Sequence, residues 1–294
     1  KLGAAPFSMT GQPNAMGGRE VGGLANMLAA HMDLDNPKHQ QLVQQFWHSP
    51  TIAKQVGLKA VDLFEAVESG KIKAIWIMAT NPVVSLPNAD QVKRALEKCE
   101  FVVVSDICLD TDTTQYADVL LPALGWGEKD GTVTNSERRI SRQRAFLDIP
   151  EQAQADWWSV SQVAKKLGFQ GFDFESSHDI FKEHAQLSAY QNAEIALRSS
   201  TETFRYFNLA GLTNLSLDDY QELEPTQWPV LVPLKNGQTK PNTFAQLFKD
   251  GQFSHADGKA KFIATTAVGA VNPISSEYPL VLNTGRIRDQ WHTM

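Results

Sequence analysis

Apolar positions along the chain follow two rhythms. Over residues 39–48 and 60–69 they recur every three or four positions. In the second stretch Leu63, Phe64 and Val67 share a face and Gly70 follows as a stop, which predicts two short helices. Ala74-Ile-Trp-Ile-Met-Ala79 is a continuous apolar run with β-branched members, the pattern of a strand buried on both faces. Asn81-Pro82 breaks it. Val92, Ala95, Leu96 and Cys99 then return to helical spacing over 88–98. Phe101-Val-Val-Val104 predicts a second buried strand, and Ala117-Asp-Val-Leu-Leu121, closed by Pro122, a third. Strand, helix and strand in such close succession make a βαβ unit and so a parallel sheet. Gly125 to Arg144 reads as a polar, glycine-punctuated loop leading into an arginine cluster. After Asp156 another helix is predicted, carrying Val160, Val163, Ala164 and Leu167 ahead of Gly168. Residues 170–257 show no pattern that places them, while Lys259-Ala-Lys-Phe-Ile263 and Tyr278-Pro-Leu-Val-Leu282 read as strands.

Composition narrows the class. With 294 residues the chain can hold one large α/β domain or two small ones. Lys and Arg number 27 against 33 Asp and Glu, a net charge of −6, which argues against a nucleic-acid partner. No apolar stretch reaches the length of about 18 residues that a spanning helix needs, so no membrane contact is expected. Cys99 and Cys108 match neither a redox pair nor a zinc pattern and are expected to be reduced thiols. His178 and His184 stand six apart, the wrong spacing for a helical metal pair, and no metal ligand is assigned in this chain. The chain starts at Lys1 without a methionine and stops at Met294, just past a predicted strand, so it is expected to be an interior piece of a longer polypeptide.

In an open parallel sheet, ligands sit beyond the carboxyl ends of the strands. Those ends are Thr80-Asn81-Pro82, Ser105-Asp106 and, after the third strand, Gly125-Trp-Gly-Glu-Lys-Asp-Gly131. An Asp at a strand end can accept from both hydroxyls of a ribose, or it can cap a turn. No G-x-G-x-x-G follows the first strand, and Ser69-Gly70-Lys71-Ile72 lacks the glycines of a phosphate loop. Arg138, Arg139, Arg142 and Arg144 put four guanidiniums in seven residues, suited to a structural role, to holding or steering a small anion, or to a solvated face.

Six blocks of sequence carry a resemblance. They are Thr10-Gly-Gln-Pro-Asn-Ala-Met-Gly-Gly-Arg-Glu-Val-Gly-Gly, Ala79-Thr-Asn-Pro, Val104-Ser-Asp, Tyr116-Ala-Asp-Val-Leu-Leu-Pro, Trp126-Gly-Glu-Lys-Asp-Gly-Thr-Val-Thr-Asn-Ser-Glu-Arg-Arg and Leu282-Asn-Thr-Gly-Arg-Ile-Arg-Asp-Gln-Trp-His-Thr-Met. Together they resemble the molybdopterin oxidoreductases, densely over 1–165 and again over 258–294, and most of all the assimilatory nitrate-reducing members. The resemblance implies a parallel-sheet, Rossmann-like α/β core with helices on both faces over residues 1–275, with its dinucleotide-binding loops within 79–156. Residues 276–294 would be the truncated start of a C-terminal β-barrel domain.

The implied cofactor is molybdenum bis(molybdopterin guanine dinucleotide). Asn81, Ser105 and Asp106 would lie along a nucleotide half of it, with Asp106 on the ribose and Lys129 by the phosphates. Asp156 would read guanine, although its place before a helix equally suits an N-cap. Thr284, Gly285, Arg286, His292 and Thr293 match the stretch that contacts the pterin, and Arg19 an arginine near the substrate funnel. The 4Fe–4S ligands and the molybdenum ligand would belong to the parent protein, outside this chain.

The implied reaction is reduction of nitrate to nitrite for assimilation, in the cytoplasm, with electrons from a donor protein or domain. A periplasmic nitrate reductase, a formate dehydrogenase or a non-catalytic nucleotide-binding module remain alternatives. The piece alone is expected to be inactive.

Overall fold

The computed structural model describes residues 14–192, 205–231, 247–248, 251–253, 255, 257–270 and 272–281. The chain divides into a larger unit, Pro13–Ala245, and a smaller one made of Lys1–Gln12 with Gln246–Met294. The larger unit opens with α1 (Ala15–Glu20), the two-residue strands β1 (Met27–Leu28) and β2 (Met32–Asp33), α2 (Pro37–Phe46) and α3 (Ala60–Glu68). There follow β3 (Ala74–Met78), α4 (Pro82–Ser85), α5 (Ala89–Lys98), β4 (Phe101–Asp106) and β5 (Val119–Pro122). The remaining elements are β6 (Gly131–Thr134), β7 (Arg139–Gln143), α6 (Asp156–Lys166), α7 (Ser177–Ala189), α8 (Leu217–Gln221) and β8 (Thr226–Gln227).

Strands β3, β4 and β5 form a parallel sheet in that order, in the register Ile77 to Val104 and Val104 to Leu120. The βαβ unit is therefore present. Its burial is one-sided rather than the two-sided burial the apolar runs predict. Ile77, Val102 and Val104 are buried under Phe64 and Val67 of α3, Val83 of α4, and Val92, Ala95 and Leu96 of α5. Trp76 and Val103, which alternate to the other face, are only half-buried. A continuous apolar run records that each residue tolerates burial, not that both faces are covered. Asn88 starts α5 by accepting from the Gln91 N–H at 3.2 Å. The Cys99 thiol follows that helix and donates to the carbonyls of Lys73 and Phe101 at 3.4 and 3.5 Å. Cys99 and Cys108 are both free thiols.

The stretch from Gly125 to Arg144 is not a loop. It contains a 3-10 turn at Trp126–Glu128 and the antiparallel hairpin β6–β7, to which β8 adds through Ile140 opposite Thr226. Asn135 makes the turn by accepting with its side chain from the N–H groups of Glu137 and Arg139. Thr, Ser, Arg and Gln dominate both strands, and Ile140 alone is a buried aliphatic there, so alternation could not mark them.

Within the arginine cluster, Arg142 turns inward and the others lie along the surface of the hairpin. The Arg142 side chain is 3% exposed, bonds Asp130 at 2.7 Å, donates to the Gly131 carbonyl and lies 3.8 Å over the ring of Tyr220. Arg138 donates to the Trp228 carbonyl and lies over that indole, Arg139 bonds Glu137 and the Pro225 carbonyl, and Arg144 donates to the Gln221 carbonyl. These four side chains tie the hairpin to the 220–228 segment, which fits the structural role and corrects the expectation of a merely solvated face.

Residues that showed no pattern after 170 include α7. Its start is a reciprocal cap in which the Ser176 hydroxyl accepts from the Asp179 N–H while the Asp179 carboxylate accepts from the Ser176 N–H. Arg205 closes the other end of that helix by donating to the carbonyls of Ser188 and Tyr190, where the helix carries its negative pole.

In the smaller unit, Lys259–Ile263 and the described part of the second expected strand, Tyr278–Val281, are irregular. Phe262 is 97% exposed. Period-two patterning says which side a residue would face, but a strand also requires a neighbour to bond to. Leu282 and the rest of the expected barrel start lie outside the described residues.

Candidate functional site

The carboxyl edge of the β3–β4–β5 sheet collects five of the six expected site residues that the structure describes: Asn81, Ser105, Asp106, Lys129 and Asp156. At the end of β3, Ala79 takes a left-handed conformation (φ 53°) and donates its N–H to the Ser105 carbonyl at 3.0 Å. This turns the chain into Asn81, which precedes α4. The Asn81 Oδ1 accepts from the Thr113 hydroxyl at 2.6 Å. Asp106 ends β4 and accepts from the Cys108 N–H through Oδ1 at 2.9 Å. Ser105 differs from the others. Its hydroxyl accepts from the Trp76 indole at 2.8 Å and the residue is 2% exposed, so its side chain faces the sheet and not the open edge.

Asp156 reaches this edge from much farther along the chain. Beyond β5, Ala123 pairs in parallel fashion with Gln154, whose N–H donates to the Pro122 carbonyl and whose carbonyl accepts from the Leu124 N–H. That pairing lays residues 153–156 beside the end of β5 and brings the Asp156 Oδ2 to 3.6 Å from the Lys129 ammonium. Asp156 is the first residue of α6. The N-cap is Ala155, with extended backbone angles, and no side chain caps the helix. The capping account of Asp156 is therefore wrong: its backbone already lies inside the helix, where a carboxylate gains from the helix field instead. Its Oδ1 is buried with no hydrogen-bond partner among the described residues.

The 3-10 turn between β5 and β6 holds Lys129 in place. The Glu128 carboxylate accepts from the Gly125 N–H at 2.7 Å, and Gln143 of β7 donates to the Trp126 carbonyl at 2.7 Å and to that of Lys129 at 3.4 Å. A Cβ on Gly127 would come within 2.7 Å of the Leu147 side chain and 2.9 Å of the Phe146 ring, so a larger residue there would have to push those exposed side chains aside.

Arg19 is exposed on α1, and among the described residues no ion pair joins it to Asp106 or Asp156. Beside it is a polar cluster that sequence patterning did not reveal. Glu20, 3% exposed, accepts from the Thr134 hydroxyl at 2.7 Å and from the Trp228 indole at 2.6 Å. Burial lifts its carboxyl to about 7 despite those two bonds. His31 and His184 both pack against Phe207, at 5.2 and 5.1 Å between ring centroids. Burial lowers each imidazole to about 4, helped at His31 by the charge of Arg19 and at His184 by His31. His178 is structural: its Nε2 lies 2.8 Å from the Leu215 carbonyl. Thr284, Gly285, Arg286, His292 and Thr293 lie outside the described residues.

Residues 7–166, more than half of the chain, match the family model described as molybdopterin oxidoreductase. The chain belongs to the molybdopterin oxidoreductase family. Within the family it is 53% identical over 294 residues to a nitrate reductase of Shewanella frigidimarina, which covers all of this chain and 30% of that protein. A nitrate reductase of Klebsiella oxytoca is 48% identical over 293 residues, 99% of this chain and 31% of its own length. The assimilatory nitrate reductase catalytic subunit of Bacillus subtilis is 31% identical over 294 residues, with 97% and 37% covered. The chain thus spans about a third of the curated relatives it matches. A molybdenum–pterin cofactor goes with the family, and the carboxyl edge of the β3–β4–β5 sheet lies within the matched region.

Proposed function

We propose that this chain is the part of a molybdenum-dependent, assimilatory nitrate reductase that grips one guanine nucleotide arm of a bis(molybdopterin guanine dinucleotide) cofactor. The observation that carries the reading is Asp156, whose buried Oδ1 has no partner among the described residues. An orphaned buried acceptor costs about 1–3 kcal/mol, and a ligand that brings donors to it recovers that cost. Guanine offers adjacent N1–H and N2–H₂ donors, which one carboxylate can accept together, whereas adenine presents a lone pair at N1.

The other residues fit the rest of such an arm. Asp106 has one oxygen engaged by Cys108 and keeps Oδ2 for ribose hydroxyls. Asn81 supplies an amide, and Lys129 a point charge that can serve phosphate as well as Asp156. Ser105 would act through the strand it anchors, because Trp76 holds its hydroxyl. Thr284, Gly285, Arg286, His292 and Thr293 would meet the pterin end, and Arg19 would stand near the nitrate path. We read the sheet as part of a Rossmann-like core with helices on both faces, and residues 276–294 as the start of the final β-barrel domain.

When bound, the cofactor supplies the two-electron oxygen-atom chemistry that converts nitrate, two protons and two electrons into nitrite and water. This chain's residues bind and orient. A 4Fe–4S cluster, the molybdenum ligand and the contact with an electron donor would come from the remainder of the polypeptide, in the cytoplasm. The nitrate reductase names of relatives covering the whole chain support the substrate.

The intact polypeptide, purified with molybdenum, is expected to form nitrite from nitrate with reduced viologen, and the 294 residues alone to form none. Formate oxidation without nitrate reduction by the intact polypeptide would overturn the substrate. Nitrite formation by the isolated chain would overturn its role as a binding part only.

A further inference from the structure

The loop after β3 contains an exchange of hydrogen bonds that leaves Asn81 in an unusual state. An asparagine just before a helix ordinarily accepts a first-turn N–H with its side-chain oxygen. Asn81 makes no such bond. The N–H of Val83 donates instead to the Thr113 hydroxyl at 3.3 Å, and that hydroxyl donates its own proton to the Asn81 Oδ1 at 2.6 Å. Thr113 comes from the connection between β4 and β5, 32 residues away, and is 0% exposed.

The Thr113 hydroxyl accepts the Val83 N–H on one lone pair and donates its single proton to the Asn81 Oδ1, so the amide branch facing Thr113 is the oxygen. The opposite branch of the planar amide is the NH₂, with two donors and no hydrogen-bond partner among the described residues.

We propose that Thr113 is a positioning residue: by taking over the Val83 N–H and binding the Asn81 oxygen, it frees and aims the Asn81 NH₂ toward the bound nucleotide. Two amide donors suit an oxygen-rich ligand segment, the ribose and pyrophosphate of the arm, and have nothing to offer an apolar one. A carboxylate at position 81 would hold Thr113 equally well but would face those oxygens with a lone pair. The inference rests on the reading of this edge as a nucleotide site, so the test separates the two.

The intact, cofactor-loaded polypeptide is prepared as Thr113→Val, Thr113→Ser and Asn81→Asp, and the GMP released by acid is measured per polypeptide alongside the thermal midpoint. Losing one oriented donor to a charged group weakens binding about tenfold, so Thr113→Val and Asn81→Asp should each release at least roughly threefold less GMP. Thr113→Ser, which keeps the hydroxyl, should match the unsubstituted protein, and Asn81→Asp should keep the thermal midpoint of the cofactor-free form, since bound cofactor itself raises the midpoint of the loaded one. Full GMP in Asn81→Asp overturns the nucleotide reading of Asn81 and this inference with it. Depleted Asn81→Asp beside full Thr113→Val leaves that reading standing and overturns the role of Thr113. Equal depletion in Thr113→Ser and Thr113→Val shows a packing effect and also overturns it. If Thr113→Val does not fold, Thr113→Cys, of similar volume but with far weaker bonds, takes its place under the same outcomes.

Discussion

Replacing Asp156 by asparagine changes one oxygen into an amide and tests the guanine reading at a single position. In the cofactor-free protein the structure sets a small cost. The ion pair with Lys129 is long, 3.6 Å, and both partners are partly exposed, which makes it worth about 0–1 kcal/mol. The carboxylate also loses its favourable place in the first turn of α6, worth about 0.3–1 kcal/mol. Together these come to about 1 kcal/mol, a drop of about 2–4 °C in Tm for a domain of this size. No cap is lost, because Ala155 and not Asp156 occupies that position.

The cofactor-bound state should suffer far more. One of two charge-assisted bonds disappears, and an amide N–H confronts a guanine N–H. A single bond to a charged group is worth about 1.5–3 kcal/mol, which is about ten- to a hundredfold in retention. The assay is GMP released per polypeptide from the intact enzyme, with urea unfolding of the cofactor-free form beside it. Undiminished GMP in Asp156→Asn would refute the guanine contact. A loss of several kcal/mol in the cofactor-free form would instead mark the residue as structural.

Other expectations follow from the same geometry. Acidification from pH 6.5 toward 4.5 should destabilise the fold, because His31 and His184 stay neutral to about 4 while the unfolded chain takes up protons below 6.5. Glu20 opposes this: raised to about 7, it favours the folded state at low pH and loses that contribution as pH rises from 4.5 to 7. Each group changes stability by about 1.4 kcal/mol per pH unit in its window, so Glu20→Gln should steepen the acid loss in urea titrations at pH 5, 6 and 7. An unchanged slope would show that Glu20 ionises normally. Arg142→Met should cost about 2 kcal/mol in urea unfolding, since it removes the contact over Tyr220 and two hydrogen bonds while leaving Asp130 near water. A neutral outcome would restore the picture of a solvated arginine cluster.

How much of this was legible in the chain depends on distance along it. The run Ala74–Met78, the helical spacing of Val92, Ala95 and Leu96, and the run from Phe101 describe elements that bury themselves against near neighbours, and all three appear where the pattern puts them. Helix α7 was not placed from the sequence, although its start carries a local signal, a Ser followed three residues later by an acid, that the reciprocal Ser176–Asp179 cap uses. The hairpin β6–β7 was not placed either, because its strands are polar and are held by Asn135 and by arginines reaching the 220–228 segment.

Residue order alone was enough for the parallel βαβ unit, the strand-end positions of Asn81 and Asp106, and the motifs by which the chain belongs with the molybdopterin oxidoreductases. Hydrophobic periodicity reports whether a side chain faces water or protein, and a motif reports local residue types; both are properties of a short window. It took the folded chain to show that Ser105 faces Trp76, that Asp156 stands beside Lys129 with one oxygen unpartnered among the described residues, and that Thr113 holds Asn81. Each of those outcomes depends on a partner some 27 to 32 residues away, and which partner arrives is set by how the strands and loops pack, information that no local window contains.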